Sequence, residues 1–93
     1  MTYTDLMKEY EWDEVKRQLN LEKHGIDFVD ATDIFLDFNR IEMESTRDGE
    51  IRYQTIGTVN EIVLLVVYTT RKNKIRIISA RRASKNERKA YFS

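Results

Sequence analysis

Hydrophobic positions recur at helical spacing over the first third of the chain and alternate over most of the remainder. Trp12, Val15 and Leu19 lie three and four residues apart and form one apolar stripe, with the helix-favouring Glu14, Lys16, Arg17 and Gln18 between them. Asp13 is placed to cap the first free amides, and Gly25 offers the left-handed backbone that ends a helix without Cβ strain. The spacing predicts a first helix over Asp13 to His24. Asp27 opens a second, with Phe28, Ala31, Ile34 and Phe35 on its apolar face and an end before Asp37. Residues 1–11 show no sustained period and read as a loosely docked arm or short irregular lead-in, anchored by Tyr3, Leu6 and Tyr10.

Beyond Phe38 the period changes to two. Ile41, Met43 and Ser45 alternate with Glu42, Glu44 and Thr46, which predicts a half-exposed strand. Asp48-Gly49 is a strong turn signal, and Ile51 to Thr58 alternates again, so these two strands should form a hairpin. Ile62 to Thr69 is apolar on both parities and reads as a central strand covered on both faces. Arg71-Lys72-Asn73 makes a tight turn into a fourth strand over Lys74 to Ala80. Ser84-x-x-Glu87 is a capping box, which starts a last helix over about Lys85 to Phe92. The reading is a single α+β domain spanning residues 1–93: two N-terminal helices, a four-stranded antiparallel sheet and a C-terminal helix, with helices layered against one sheet face.

Composition narrows the chemistry. The 93 residues contain no cysteine and one histidine, so thiol catalysis and a thiolate metal site are excluded and a structural zinc site is not expected. No cofactor is expected either, since glycine-rich phosphate loops and paired-histidine motifs are missing. The longest apolar run, Ile62 to Val67, is too short to cross a membrane, and the amino terminus carries no basic-then-apolar leader; a cytoplasmic protein without membrane contact is expected. The formal net charge of 0 hides a division: residues 1–50 hold 14 acidic and 6 basic side chains, and residues 51–93 hold 2 and 10. The basic half suits an anionic partner, with nucleic acid the usual one, or it neutralises the acidic helices within one fold. Charge alone does not choose.

The candidate site residues come from the ends of elements. His24 is the one histidine, a residue type that exchanges protons near neutral pH, and it stands at a helix carboxyl end before a forced corner. It either bonds the last helix carbonyls or serves as a proton donor or acceptor, with Lys23 beside it to hold a phosphate. Arg81 and Arg82 leave the last strand near the Ser84 helix start and either clasp a phosphate, although adjacent strand residues point to opposite faces, or form an ordinary basic turn or an internal ion pair. Arg71 stands at a hairpin turn, whose default reading is a solvated corner. Cleavage of RNA by its own 2′-hydroxyl needs proton transfer and cations but no obligatory metal, and one histidine with Lys23 and the arginines could meet that need. Tyr53 and Tyr68 are strand aromatics that either stack on bases or pack in the core.

Several of these residues fall in blocks that resemble a known family. Glu11-Trp12-Asp13-Glu14-x-Lys16, Asn20-Leu21-x-Lys23-His24-Gly25-Ile26-x-Phe28-x-x-Ala31, Tyr68-Thr69, Arg76-Ile77-Ile78-Ser79-Ala80-Arg81-Arg82-Ala83, Glu87-Arg88 and Tyr91 together resemble the BrnT family of bacterial type II toxins. The resemblance implies a RelE-like fold and a metal-independent endoribonuclease toxin that blocks translation. It implies neutralisation by a BrnA-like antitoxin carrying a ribbon-helix-helix part, with operator DNA bound only through the complex. It also implies Lys23, His24, Arg71, Arg81 and Arg82 as active residues; at Arg71-Lys72-Asn73 the chain departs from the acidic, arginine and glycine turn frequent in the family. The other reading is a noncatalytic relative that binds antitoxin or nucleic acid without cutting it.

Overall fold

The computed structural model of the chain describes residues 9–93, so the expected anchors Tyr3 and Leu6 lie outside the described residues. The alternation Glu9-Tyr10-Glu11-Trp12 forms a strand, β1 (Glu9–Trp12), where an irregular arm was expected. Helix α1 (Glu14–His24) follows at once, its amides Val15 and Lys16 capped by the Asp13 carboxylate and its end set by Gly25 at φ 71°. Helix α2 (Phe28–Ala31), capped by Asp27, passes into a 3-10 turn over Thr32–Leu36. Strands β2 (Ile41–Arg47), β3 (Glu50–Val59), β4 (Ile62–Arg71) and β5 (Lys74–Arg82) make the expected meander, and α3 (Lys85–Phe92) begins at the Ser84–Glu87 capping box.

The sheet has five strands in the order β1-β5-β4-β3-β2, and β1 runs parallel to β5. The expected four-stranded antiparallel sheet is therefore corrected to a mixed one. Four residues are too few to announce a period, but their alternation serves both sides: Tyr10 and Trp12 pack into the core, while Glu9 and Glu11 pair with Lys74 and Arg76. Beyond the β1 end, Ala80 would expose its edge amide and carbonyl. The buried Asn20 side chain takes their place, donating to the Ala80 and Ile26 carbonyls at 2.8 and 2.9 Å and accepting from the Ala80 amide at 3.1 Å.

The same contact overturns the expected core stripe of α1. The helix seats on the sheet through Asn20, with Val15 68% and Leu19 58% exposed on its outward side. The main core lies between sheet and α2, where Phe28, Ala31, Ile34 and Phe35 meet Val59, Leu64, Val66, Tyr68, Ile75, Ile77 and Ala80. Gly57 makes this approach possible, because a Cβ there would stand 2.8 Å from Ile34 Cγ1. On the opposite face Ile56, Val63 and Leu65 form a smaller cluster under Ala83 and Tyr91, so α3 covers only part of that face.

Candidate nucleic-acid interface

The alternation of β4 and β5 sorts the predicted site residues between the two faces. Arg82 pairs with Leu64 and falls on the α2 side with Ala80; Arg81 pairs with Leu65 and falls on the α3 side. Lys23 and the half-buried His24 end α1 on the α2 side, where the following Gly25 and Ile26 share a small cavity of about 150 Å³ with Val59 and Leu64. The corner that follows Lys23 and His24 and the Arg82 position on β5 thus both lie at the end of the sheet that carries the Asn60-Glu61 turn. Arg71 lies at the other end of β4, seven residues beyond the Arg82 partner, or roughly 20 Å along the strand. The structure does not gather the five into one pocket.

Their partners differ as well. The His24 imidazole makes no hydrogen bond among the described residues, and the Gly25 amide caps the helix by donating to the Leu21 carbonyl at 2.8 Å. The cavity beside this corner is lined by the carboxylates of Asp27 and Asp30, which oppose a phosphate. Asp27 is held below its ordinary value first by the Arg17 guanidinium, which donates to it at 2.8 and 3.0 Å. Arg81 is engaged bidentately by Glu87, its two terminal nitrogens donating to the two carboxylate oxygens at 2.8 and 2.9 Å. This arginine pulls the Glu87 carboxyl down to about 2. Arg71 keeps a looser pair, 3.5 Å from Glu50.

The half of the α3-side face that α3 leaves bare is more favourable to a polyanion. Alternation sends Arg47, Arg52, Arg71, Lys74 and Arg76 to this region, near the ends of the β2–β3 and β4–β5 hairpins. Glu9, Glu11 and Glu50 answer some of them at 3.4 to 4.0 Å. A groove of about 450 Å³ crosses the four strands here, lined by Arg47, Arg52, serine and threonine hydroxyls and the Gln54 amide, with no carboxylate in its lining. Arg52 Nε is buried and without a hydrogen-bond partner. Arg71 and Arg81 border this face. Arg52, Gln54 and Ser79 were missed because each reads as an ordinary strand residue; only pairing across β2 to β5 makes them neighbours.

Other expectations resolve simply. Tyr53 and Tyr68 stack at 5.0 Å on the α2 side, with Tyr68 buried and donating to Glu42 at 2.6 Å, so packing is the reading that holds. Burial first, then the Glu42 carboxylate, raises the Tyr68 phenol above its ordinary value. Tyr91 on α3 donates to Asp37 at 2.5 Å, and Asp37 also accepts from the Thr58 amide and hydroxyl. Burial works to raise the Asp37 carboxyl, but these bonds outweigh it and hold it below its ordinary value. Among the described residues no group of three or more His, Asp or Glu side chains is arranged to hold a metal, and no helix is long and apolar enough to cross a membrane.

A search of curated proteins finds no match. The family described as the ribonuclease toxin, BrnT, of type II toxin-antitoxin systems matches residues 12–87. That span runs from the last residue of β1 into the first turn of α3, and the α+β architecture with its mixed sheet is consistent with a RelE-like BrnT fold. The chain therefore belongs to the BrnT family of ribonuclease toxins, which gives it an RNA target and an antitoxin partner.

Proposed function

We propose that the protein is an endoribonuclease that holds RNA on the bare half of the α3-side face and cuts it there without a metal. The observation that carries this reading is a cationic groove with no carboxylate in its lining on an otherwise charge-divided molecule. In the reaction the 2′-hydroxyl gives its proton to water and attacks the adjacent phosphorus, the P–O5′ bond breaks, and the 5′-oxygen takes a proton from water, leaving a 2′,3′-cyclic phosphate. Arginines stay protonated and do not move protons, so Arg71 stabilises the charge that gathers on the phosphoryl oxygens, while Arg81, six residues along the paired strand and clasped by Glu87, holds a neighbouring phosphate of the RNA. Lys23, His24 and Arg82 make a second basic corner on the other face. A substrate strand long enough to turn the sheet end would meet it, and His24 is the group there suited to proton transfer.

By blocking translation in the cytoplasm, the cut accounts for toxicity. The antitoxin is a BrnA-like protein with a ribbon-helix-helix part, and the toxin meets operator DNA only within that complex. Support for these assignments comes from the family and from the sequence blocks around His24 and Arg81.

Because the two basic regions are on different faces, single substitutions separate them. With purified, antitoxin-free protein and RNA in excess chelator, Arg71→Ala should lower the cleavage rate about 10-fold or more, as expected for one lost charge-stabilising group. Under the same conditions His24→Ala gives the weight of the α1 corner. A larger loss for His24→Ala than for Arg71→Ala would move the reacting phosphate to that corner. Cleavage lost in chelator and restored by a divalent cation would defeat the metal-free reaction, and binding without product would leave a noncatalytic relative.

A further inference from the structure

We infer that the groove between the β2–β3 hairpin and the irregular part of β5 is a single-nucleotide site of the RNA strand, with Arg52 for its phosphate and Gln54 for the edge of its base. The inference rests on the ribonuclease reading and assigns the substrate contact within it.

The groove owes its shape to a break in register. Tyr68 pairs with Ile77 and Val67 with Ser79, so Ile78 is an extra residue on β5. A bulge of this kind turns side chains that strict alternation would send to opposite faces, and here it sets Ile78 beside Val67 in the groove lining. Both are only half-buried. Two aliphatic side chains thus form an apolar floor in a region otherwise made of arginines, hydroxyls and an amide.

Around this floor the polar groups are unspent. Arg52 Nε is buried with no hydrogen-bond partner, and the nearest carboxylate to its guanidinium, Glu50, stands at 4.0 Å. The Arg47 side chain forms no ion pair or hydrogen bond among the described residues. Gln54, opposite Val67 in the strand register, likewise has no side-chain hydrogen bond among the described residues, leaving one acceptor and two donors facing the groove. A guanidinium short of an acceptor beside an apolar shelf and a free amide suits a ligand with an anionic group, a flat apolar face and a hydrogen-bonding edge. One nucleotide of single-stranded RNA has all three. A bare phosphate would leave the floor and the amide unused, and a peptide would leave the guanidinium without its counter-charge unless acidic.

The division of labour is testable, because phosphate contacts act on all sequences and edge contacts discriminate between them. Binding is measured by fluorescence anisotropy with non-cleavable 2′-O-methyl homopolymers of each base, and cleavage positions are mapped on a mixed RNA. Arg52→Gln should weaken binding to all four homopolymers about 10-fold and lower the log-log salt slope by about 0.7, the single-strand value for one phosphate. Arg52→Lys should restore the slope. Gln54→Ala should bring the affinities for the four homopolymers together and broaden the cleavage positions. Thermal unfolding of each variant checks that it folds. Wild-type protein that cuts RNA while Arg52→Gln and Gln54→Ala variants bind and cut as it does would place the nucleotide elsewhere. Wild-type protein without base preference would overturn the role of Gln54, and wild-type protein that neither binds nor cuts RNA would instead overturn the ribonuclease reading itself.

Discussion

Asn20 completes, with one side chain, the edge of β5 that β1 leaves open. Its carboxamide has the same donor and acceptor as a peptide group, so it can pair with Ala80 in both directions and still reach the Ile26 carbonyl that begins the corner after α1. Removing it strands buried backbone groups, which costs more than a hydrogen bond's net worth. Asn20→Ala should therefore lower unfolding stability by about 2–3 kcal/mol, measured by denaturant titration. An unchanged midpoint would show that water takes over these bonds. Nothing in the local sequence marks Asn20, a polar residue in a polar helix, as the anchor; the long-range partner at Ala80 gives it that role. By contrast, Asp13, Gly25 and Ser84 are legible because caps act on their own neighbours.

At the scale of elements, α3 is the helix most dependent on a few contacts. None of its residues is fully buried, and it is held by the Ser84–Glu87 capping box, the Arg81–Glu87 pair and the Tyr91–Asp37 bond. Glu87 joins the first two, since its Oε1 also accepts from the Ser84 amide at 2.7 Å. The folded carboxyl titrates at about 2, below its value in an unfolded chain, so the charged form stabilises the fold above the unfolded value. That contribution is lost as pH falls toward 2. Glu87→Gln should thus destabilise the protein near neutral pH by about 1 kcal/mol, a modest figure because Arg81 is partly solvated. The difference in Tm from the parent should close between about pH 4.5 and pH 2; a difference independent of pH would assign the effect to shape rather than charge.

The strands are legible in the sequence because alternation reports which residues face which side, and turns such as Asp48-Gly49 carry their own backbone signal, Gly49 lying at φ 79°. The helix α1 misled for the same reason in reverse. Its Val15 and Leu19 spacing is amphipathic, yet the helix seats through Asn20, and spacing reports a face without saying what covers it. β1 is not legible in the sequence because its pairing partner lies more than sixty residues away.

For the whole molecule, the separation of charge along the chain becomes a separation in space only through folding. The bare sheet half gathers Arg47 from β2 with Arg52, Arg71 and Arg76 from the three strands beyond it. A protein of net charge 0 whose partners responded to total charge would bind RNA with almost no dependence on salt. If the strand lies along this face, four phosphate contacts should give a log-log slope of about −3 for a single-stranded oligonucleotide, at about −0.7 per contact. A slope near zero, measured by anisotropy across a salt series, would mean that the acidic helices cancel the basic face. Neither outcome is set by composition.

The sequence by itself determined the helix caps, the turns, the hairpin meander and the family, because each is written in short spacings or in contiguous blocks of residues. It also supplied the cations and the single histidine. Tertiary structure alone decided that β1 closes the sheet, that Asn20 anchors α1, and that Arg81 and Arg82 part to opposite faces while Arg52, Gln54 and Ser79 share one groove. The physical reason is that strand register, a long-range property, fixes the side each residue faces; a one-residue shift or a single bulge reverses it.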